Sequence, residues 1–184
     1  MKKQYAILLV TFGIFLLSYC QGDPLTYPTG SFVSAEALKV YGVALDSLHV
    51  EHDQDIIYIL DSTIVVFSFA MRSYEHIKNG YPEFEQETYA SLLANNNRRY
   101  SIPSLPTNTK RNLFLSSNPS SRLGEPNVYG VVEFSNVGFN KNKTQAVLLV
   151  FEYRGDLAGS IYFLTLAIKN NAWQVTSYVL VGIS

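Results

Sequence analysis

The sequence predicts an α+β domain, in which helices of the N-terminal half pack on one face of a C-terminal antiparallel β-meander. Apolar residues recur at helical spacing in the first half, and four β-rich runs follow one another in the last third. The connections between these runs are too short for parallel crossovers, which need about a dozen residues or more. With 184 residues, 47% of them hydrophobic, the chain can build one core.

The first predicted helix runs from an N-cap at Ser34 to Leu48. A serine at the N-cap accepts a backbone hydrogen bond, and Glu36 in the first turn complements the positive end of the helix dipole. Apolar side chains at three- and four-residue spacing form one stripe: Leu38, Tyr41, Leu45 and Leu48. We expect this stripe to face the core.

The next elements are a short strand and a second helix. Asp55–Leu60 is rich in β-branched residues and predicts a strand, which Asp61–Thr63 ends. The run Ile64–Ile77 stays open between strand and helix. Glu83–Asn96 predicts a helix that is acidic at its start and is followed by Arg98–Arg99, an order that matches the helix dipole.

A polar stretch separates these elements from the meander. Ser101–Asn127 is rich in Ser, Pro, Asn and Gly and predicts a loop, within which only Asn112–Leu115 is strand-like. Four predicted strands follow, joined by turn-forming segments: Tyr129–Phe139, Gln145–Tyr153, Ser160–Ile168 and Trp173–Val181. We expect them to pair in sequential order, with Trp173 or Val175 on the inner face.

The N-terminus has the pattern of an export signal. Two lysines precede the apolar run Ala6–Leu17, which is shorter than the roughly 20 residues that a membrane span needs. The sequence therefore divides into a signal peptide at 1–19, a Pro- and Gly-bearing tether at 20–31 and a single globular domain at 32–184.

Cys20 lies at the predicted signal junction and is the single cysteine of the chain. Leu17 and Ser18 before it fit a lipoprotein signal, whereas Tyr19 does not. The expected partner is a membrane, reached through a lipid anchor at Cys20, and the expected location is the cell envelope outside the inner membrane. Ordinary signal cleavage, which would leave Gln21 first and release a secreted protein, remains the alternative.

Charge and composition exclude other classes. A formal net charge of -1, with 14 basic and 15 acidic side chains, is too small for a general nucleic-acid binder. One cysteine rules out an intramolecular disulfide or a cysteine-based zinc framework. No cofactor motif is present, because Gly155–Gly159 lacks the Lys-Ser/Thr ending of a phosphate loop and fits a tight turn.

Several motifs could carry chemistry, and each has a simpler structural explanation. His49–Asp53 contains two histidines, but their spacing is i and i+3, whereas the zincin pattern requires i and i+4. A triad of Asp61, His76 and either Ser62 or Ser73 has no supporting motif. Glu83, Glu85 and Glu87 point to different sides of a helix, which does not suit a glycosidase pair. We assign no catalytic, cofactor or metal residue.

The many aromatic residues allow two interpretations. The chain has 13 Tyr, 11 Phe and one Trp, and in a small sheet domain these side chains mostly fill the core and form cross-strand pairs. A partly open, Tyr-lined cavity that binds carbohydrate or a small apolar ligand is the alternative.

The C-terminal third resembles a group of uncharacterised bacterial envelope lipoproteins over roughly the last 55 residues. The resemblance rests on five segments: Phe134–Asn140, Gln145–Val150, Gly155–Phe163, Trp173–Val175 and Gly182–Ser184. It implies an exported domain and supplies no catalytic residue. Many relatives have cysteines where this chain has Arg154 and Ala158, and a tryptophan where it has Gly182.

These observations favour a non-enzymatic envelope domain with a binding or structural role. The alternatives are a hydrolase with an unrecognised site and a secreted protein with a small-ligand cavity. A pocket that brings Asp61, His76 and a serine together would favour the hydrolase. A pocket lined by Tyr, Phe and aliphatic side chains would favour a binding module.

Overall fold

The structure is a computed structural model that describes residues 31–48, 56–65, 74–105, 112–155 and 159–183. The predicted signal peptide, Cys20 and the His49–Asp53 motif lie outside the described residues. In the described part, none of the helices is long and apolar enough to cross a membrane.

The described residues form three α-helices, seven strands and one 3₁₀ helix at Pro119–Arg122. The helices are α1 (Ala35–Ser47), α2 (Tyr74–Gly80) and α3 (Gln86–Asn95). The strands are β1 (Ile56–Leu60), β2 (Asn112–Ser116), β3 (Val128–Phe134), β4 (Gly138–Phe139), β5 (Gln145–Tyr153), β6 (Gly159–Lys169) and β7 (Ala172–Ile183).

All seven strands belong to one mixed sheet with the order β2-β1-β3-β5-β6-β7, and β4 pairs separately with β5. β5 pairs antiparallel with β3 and with β6, and β6 pairs antiparallel with β7. The predicted sequential meander is confirmed, as is the α+β class. The predicted strand Tyr129–Phe139 is divided into β3 and β4, which pair with two different parts of β5.

The first half of the chain adds parallel strands that the predicted meander lacks. β1 lies between β2 and β3 and is parallel to both, so that Ile57 pairs with Leu113 and with Gly130. β2 contains the strand-like Asn112–Leu115 of the predicted loop. Parallel pairing joins residues far apart in sequence and leaves no short turn between them, so no local pattern indicates it.

Helices cover both faces of the sheet, whereas the sequence suggested one. On β5, Ala146, Leu148 and Val150 pack in the hydrophobic cluster under α1. Val147 and Leu149, which alternate with them, pack in the cluster under α2 and α3. Successive strand residues point to opposite faces, so a central strand covered on both faces is apolar at almost every position.

Local capping and turn geometry follow the sequence closely. The Ser34 hydroxyl accepts a hydrogen bond from the backbone N–H of Ala37 at 3.1 Å, which fixes the start of α1. Asn170 and Asn171 join β6 to β7 with positive φ of 53° and 61°. A tight two-residue hairpin turn of this kind requires positive φ at both central residues, and asparagine tolerates this conformation.

Trp173 and Val175 at the start of β7 both pack against the cluster under α1, and Trp173 is buried. The prediction that one of them faces inward is confirmed. Both do so because residues two apart on a strand share a face.

Arg154 directly follows the end of β5. Its guanidinium donates to the buried Glu152 carboxylate at 2.8 Å and lies 4.7 Å from the centroid of the Tyr129 ring. An ion pair and a cation–π contact therefore hold the start of this turn. Ala158 lies outside the described residues.

Candidate functional site

A cavity of about 270 Å³ opens at the edge where the parallel strands β1 and β3 end. α1 belongs to one face of the sheet and α3 to the other, and the segment between β3 and β4 passes between them. Ten residues line the cavity: Phe32, Val33, Ser34, Ala37, Tyr41, Asn95, Tyr100, Asn136, Val137 and Phe139. We call it the α1 cavity.

Tyr41 fixes the α1 wall. Its ring stacks on Phe134 at the end of β3, with 4.7 Å between the centroids, and its hydroxyl donates to the Ser135 carbonyl at 2.9 Å. Burial raises the pKa of the Tyr41 hydroxyl far above its usual range, so the group stays protonated and keeps this bond. The position of α1 is thereby tied to the end of β3.

The segment between β3 and β4 forms the floor. Ser135 still exchanges hydrogen bonds with Leu149 of β5: its backbone N–H donates to the Leu149 carbonyl, and its hydroxyl accepts from the Leu149 N–H at 2.8 Å. The next residue, Asn136, leaves the ladder. Its side-chain NH₂ donates to the carbonyls of Asn95 and Arg98 at 2.7 and 2.8 Å.

Asn136 thus satisfies the carbonyl of Asn95, the last residue of α3, where helix carbonyls lack partners within the helix, and that of Arg98 in the segment after it. Asn95 reciprocates by donating to the Val137 carbonyl at 3.3 Å. Two side-chain amide bonds therefore join α3 to the β3–β4 segment directly beside the cavity, and a third joins that segment to Arg98.

Gly138 brings α3 against β4 more closely than any other residue could. A Cβ atom at this position would clash with the backbone N of Leu92 and the carbonyl O of Thr88. Beside it, the Phe139 N–H donates to the Ser91 hydroxyl at 3.1 Å. Close contact between two backbones keeps this wall rigid.

The outer wall comes from the segments around Phe32 and Tyr100. The backbone N–H of Tyr100 donates to the Thr63 hydroxyl and its carbonyl accepts from the Thr63 N–H, at 2.9 and 2.8 Å. The Val33 N–H donates to the Ser101 carbonyl at 3.1 Å. Phe32 is 63% exposed at the mouth, where a ligand could cover it.

Phe139 connects the cavity to the single tryptophan. The rings of Phe139 and Trp173 lie 6.0 Å apart, and the Trp173 indole N–H donates to the Glu36 carboxylate at 2.6 Å. That bond, with a second from Lys39, lowers the pKa of Glu36. A ligand in the cavity would therefore lie close enough to Trp173 to alter the surroundings of its indole ring.

The described lining contains no carboxylate, imidazole, thiol, amine or guanidinium group. Tyr41 and Asn136 already use their side-chain hydrogens on backbone carbonyls, and the Ser34 hydroxyl oxygen caps α1. The Tyr100 oxygen accepts a hydrogen bond from Arg98. Such a surface can bind and orient a molecule, and none of its described side chains is a carboxylate, imidazole or amine that could activate the Ser34 or Tyr100 hydroxyl as a nucleophile.

The hydrolase residues are not brought together. α2, which carries His76, packs on β7. The contact is so close that a Cβ at Gly80 would meet the side chains of Ser177 and Val179. Asp61 follows β1, four strands away in the sheet order. Among the described residues, none of the hydrogen bonds joins His76 to Asp61 or Ser62, and Ser73 lies outside them.

The other candidate residues have structural contacts or lie elsewhere. Glu83 accepts a hydrogen bond from Tyr81 and Glu85 accepts one from Asn140. Within the described ranges, no group of three or more His, Cys, Asp or Glu residues could hold a metal ion.

A second cavity of about 400 Å³ lies beside edge strand β2. Its walls include Ile59, Leu113 and two exposed side chains, Phe114 and Leu115. Residues 106–111, which join β2 to the opposite wall, lie outside the described residues. The α1 cavity is therefore the better defined of the two.

The sequence left an aromatic cavity open as an alternative to a core filled by aromatic side chains, and it did not identify the residues of the cavity. Phe32, Tyr100 and Asn136 come from three distant segments. One signal lay in the run Phe134–Asn140, where Ser135 and Asn136 interrupt an apolar strand without forming a turn motif. A polar pair within a buried strand requires hydrogen-bond partners, and here α3 provides them.

Comparisons with protein-family models, with curated proteins and with solved structures found no match to this chain. Fold and site together define the class: an α+β domain with a mixed seven-stranded sheet and an uncharged, aromatic cavity at the end of its parallel strands.

Proposed function

We propose that the protein is an exported envelope domain, anchored to a membrane by a lipid at Cys20, that binds a small ligand in the α1 cavity without transforming it. The observation that carries the proposal is the lining of that cavity. It is concave, aromatic and fixed by hydrogen bonds, and its described residues include no carboxylate, imidazole or amine that could activate a hydroxyl for catalysis.

In this proposal the two parts of the chain have separate tasks. The C-terminal meander β3–β7 is the scaffold, and the helices of the N-terminal half pack on it and supply the walls of the cavity. Tyr41 of α1 and Asn95 of α3 support this division, because both bond to the segment that follows β3.

The anchor and the cavity are close in sequence. Phe32, Val33 and Ser34 line the cavity directly after the tether at 20–31. A chain spans at most about 3.6 Å per residue, so these twelve residues reach roughly 40 Å. A lipid at Cys20 would hold the cavity within that distance of the bilayer surface, where it meets ligands in the envelope.

A screen of small molecules against the protein tests the binding function. Ala37 lines the cavity and is buried, so Ala37→Leu places a larger side chain in it. Ala35→Leu is the matched control, since Ala35 lies on the exposed side of the same helix turn. A ligand that binds the folded state raises the melting temperature.

We expect some compounds to stabilise the wild type and Ala35→Leu but not Ala37→Leu. If every stabilising compound acts equally on all three proteins, the cavity is not a binding site. Circular dichroism of the two variants before the screen establishes that both are folded.

Mass spectrometry of the mature N-terminus tests the anchor. We expect an acylated Cys20 as the first residue and loss of membrane partitioning in Cys20→Ala. An unmodified chain that begins at Gln21 or Asp23 would refute lipidation and identify a secreted protein, and the cavity hypothesis would be unaffected.

A further inference from the structure

We propose that the α1 cavity takes an uncharged ring compound of about two fused rings, rather than a sugar, an ionic molecule or an alkyl chain. This inference rests on the proposed function, since it specifies the ligand of the same cavity. Charge, hydrogen-bonding capacity and size each restrict the ligand.

Charge gives the first restriction. The described lining residues carry no formal charge, so an ionic ligand would lose its hydration without gaining a counter-ion. Arg98 lies over the Tyr100 ring at 4.9 Å from its centroid and is not itself a lining residue. The ligand is therefore uncharged.

Hydrogen-bonding capacity gives the second. Both hydrogens of the Asn136 amide are used on backbone carbonyls, and the Tyr41 hydrogen is used on Ser135. Ser34 and Tyr100 accept hydrogen bonds and each still has one hydroxyl hydrogen to donate. The amide oxygens of Asn95 and Asn136 add acceptors, but a sugar has a hydroxyl on nearly every carbon and would still leave several unpaired, which costs binding free energy.

Shape and size give the third. Phe32, Tyr41, Tyr100 and Phe139 surround the space with ring surfaces, which favour stacked or edge-on contact with another ring. An apolar protein cavity of about 150 Å³ is known to hold benzene. At about 270 Å³, this cavity has room for two fused rings.

The test uses four uncomplicated probes of similar size: coumarin, an uncharged fused-ring lactone; coumarin-3-carboxylate, its anionic analogue; glucose; and 1-decanol. Each is titrated by calorimetry into the mature protein, residues 20–184, carrying Cys20→Ala so that detergent is absent. Ala37→Leu and Ala35→Leu are titrated in parallel.

We expect coumarin to bind with a Kd of the order of 100 µM, as is reasonable for so small a ligand. Binding should weaken at least tenfold in Ala37→Leu and remain unchanged in Ala35→Leu. The other three probes should bind at least tenfold more weakly than coumarin.

A site-specific signal accompanies the titration. The chain has one tryptophan, so ¹⁵N-labelled protein gives a single indole N–H resonance. Trp173 lies beside Phe139 of the cavity, and its resonance should shift with coumarin. A heat signal without this shift would place coumarin elsewhere and overturn the inference.

The outcomes separate the two proposals. Tighter binding of the carboxylate, glucose or decanol, with the Ala37→Leu dependence retained, overturns the ring-compound inference and leaves the binding function standing. If no probe binds, the inference is wrong, and the function falls with it only when the wider screen also yields no compound that depends on position 37.

Discussion

The antiparallel half of the sheet, β5 to β7, and the parallel half, β2 to β1 to β3, differ in the range of their contacts. β6 and β7 are joined by the two-residue turn Asn170–Asn171, which places Lys169 opposite Ala172 and sets the register next to the turn. Ile57 of β1 pairs with Leu113 and Gly130, which lie far along the chain. Closing such long loops costs conformational entropy that tertiary contacts must repay.

The cavity lies at the parallel half, where the strand ladder stops. In the meander, backbone bonds between neighbouring strands satisfy most polar groups. Around the cavity, side chains such as those of Asn136 and Tyr41 donate the hydrogen bonds that backbone carbonyls need. Recognition sites often lie on such irregular segments held by a rigid scaffold, because these segments present varied side chains in fixed positions. Four experiments would sharpen this comparison or break it.

Gly138→Ala should have the largest effect, a loss of about 3 kcal/mol in the free energy of unfolding. The new Cβ clashes with backbone atoms of Leu92 and Thr88, so α3 must move away from β4. Gly182→Ala in β7 is the control, because its Cβ would lie 3.4 Å from the flexible Ile161 side chain. Urea unfolding measures both, and equal losses would contradict the assigned difference between the two regions.

Asn136→Ala should cost about 2 kcal/mol, since it leaves the carbonyls of Asn95 and Arg98 without their amide donors. Asn95→Ala should cost less than about 1 kcal/mol, because it removes two longer bonds, one to the Val137 carbonyl and one to the Ser91 hydroxyl. Denaturant titrations of both variants check the order. A milder effect of Asn136→Ala would mean that side-chain bonds do not hold the cavity floor.

Glu36→Gln should make the stability of the protein depend less on pH under acidic conditions. The hydrogen bonds from Trp173 and Lys39 lower the pKa of the folded-state Glu36 carboxyl. A lowered folded-state pKa means that its stabilisation is present above the unfolded pKa and is lost as pH falls through the folded value.

Wild type should therefore lose more stability than Glu36→Gln between pH 6 and about pH 3, by less than about 1 kcal/mol for this partly exposed pair. Thermal unfolding across that pH range gives the difference between the two curves. Parallel curves would show that Glu36 does not couple α1 to β7.

The last prediction concerns limited proteolysis, which compares how readily the two regions of the chain are cut. Trypsin is expected to cut first after Arg122, whose side chain is 51% exposed within the predicted loop Ser101–Asn127. Mass spectrometry of early fragments identifies the sites. First cuts inside β5, β6 or β7 would contradict the prediction, because the antiparallel half would then be cleaved before the loop.

The sequence by itself determined the elements that depend on neighbouring residues. It predicted α1 from Ser34 and its apolar stripe, and α3 within Glu83–Asn96. It also predicted the order of the meander from the strand runs and the short turns between them. These signals are local because a helix face, a cap and a hairpin each involve residues only a few positions apart.

Tertiary structure alone decided the rest. The parallel placement of β1 and β2, the helices on both faces, and the meeting of Phe32, Tyr100 and Asn136 at one cavity join segments far apart in sequence. An aromatic side chain looks the same in sequence whether it fills the core or lines a cavity. Tertiary packing decides whether a ring lies in the core or in the cavity wall, since the burial of each ring depends on which distant element covers it.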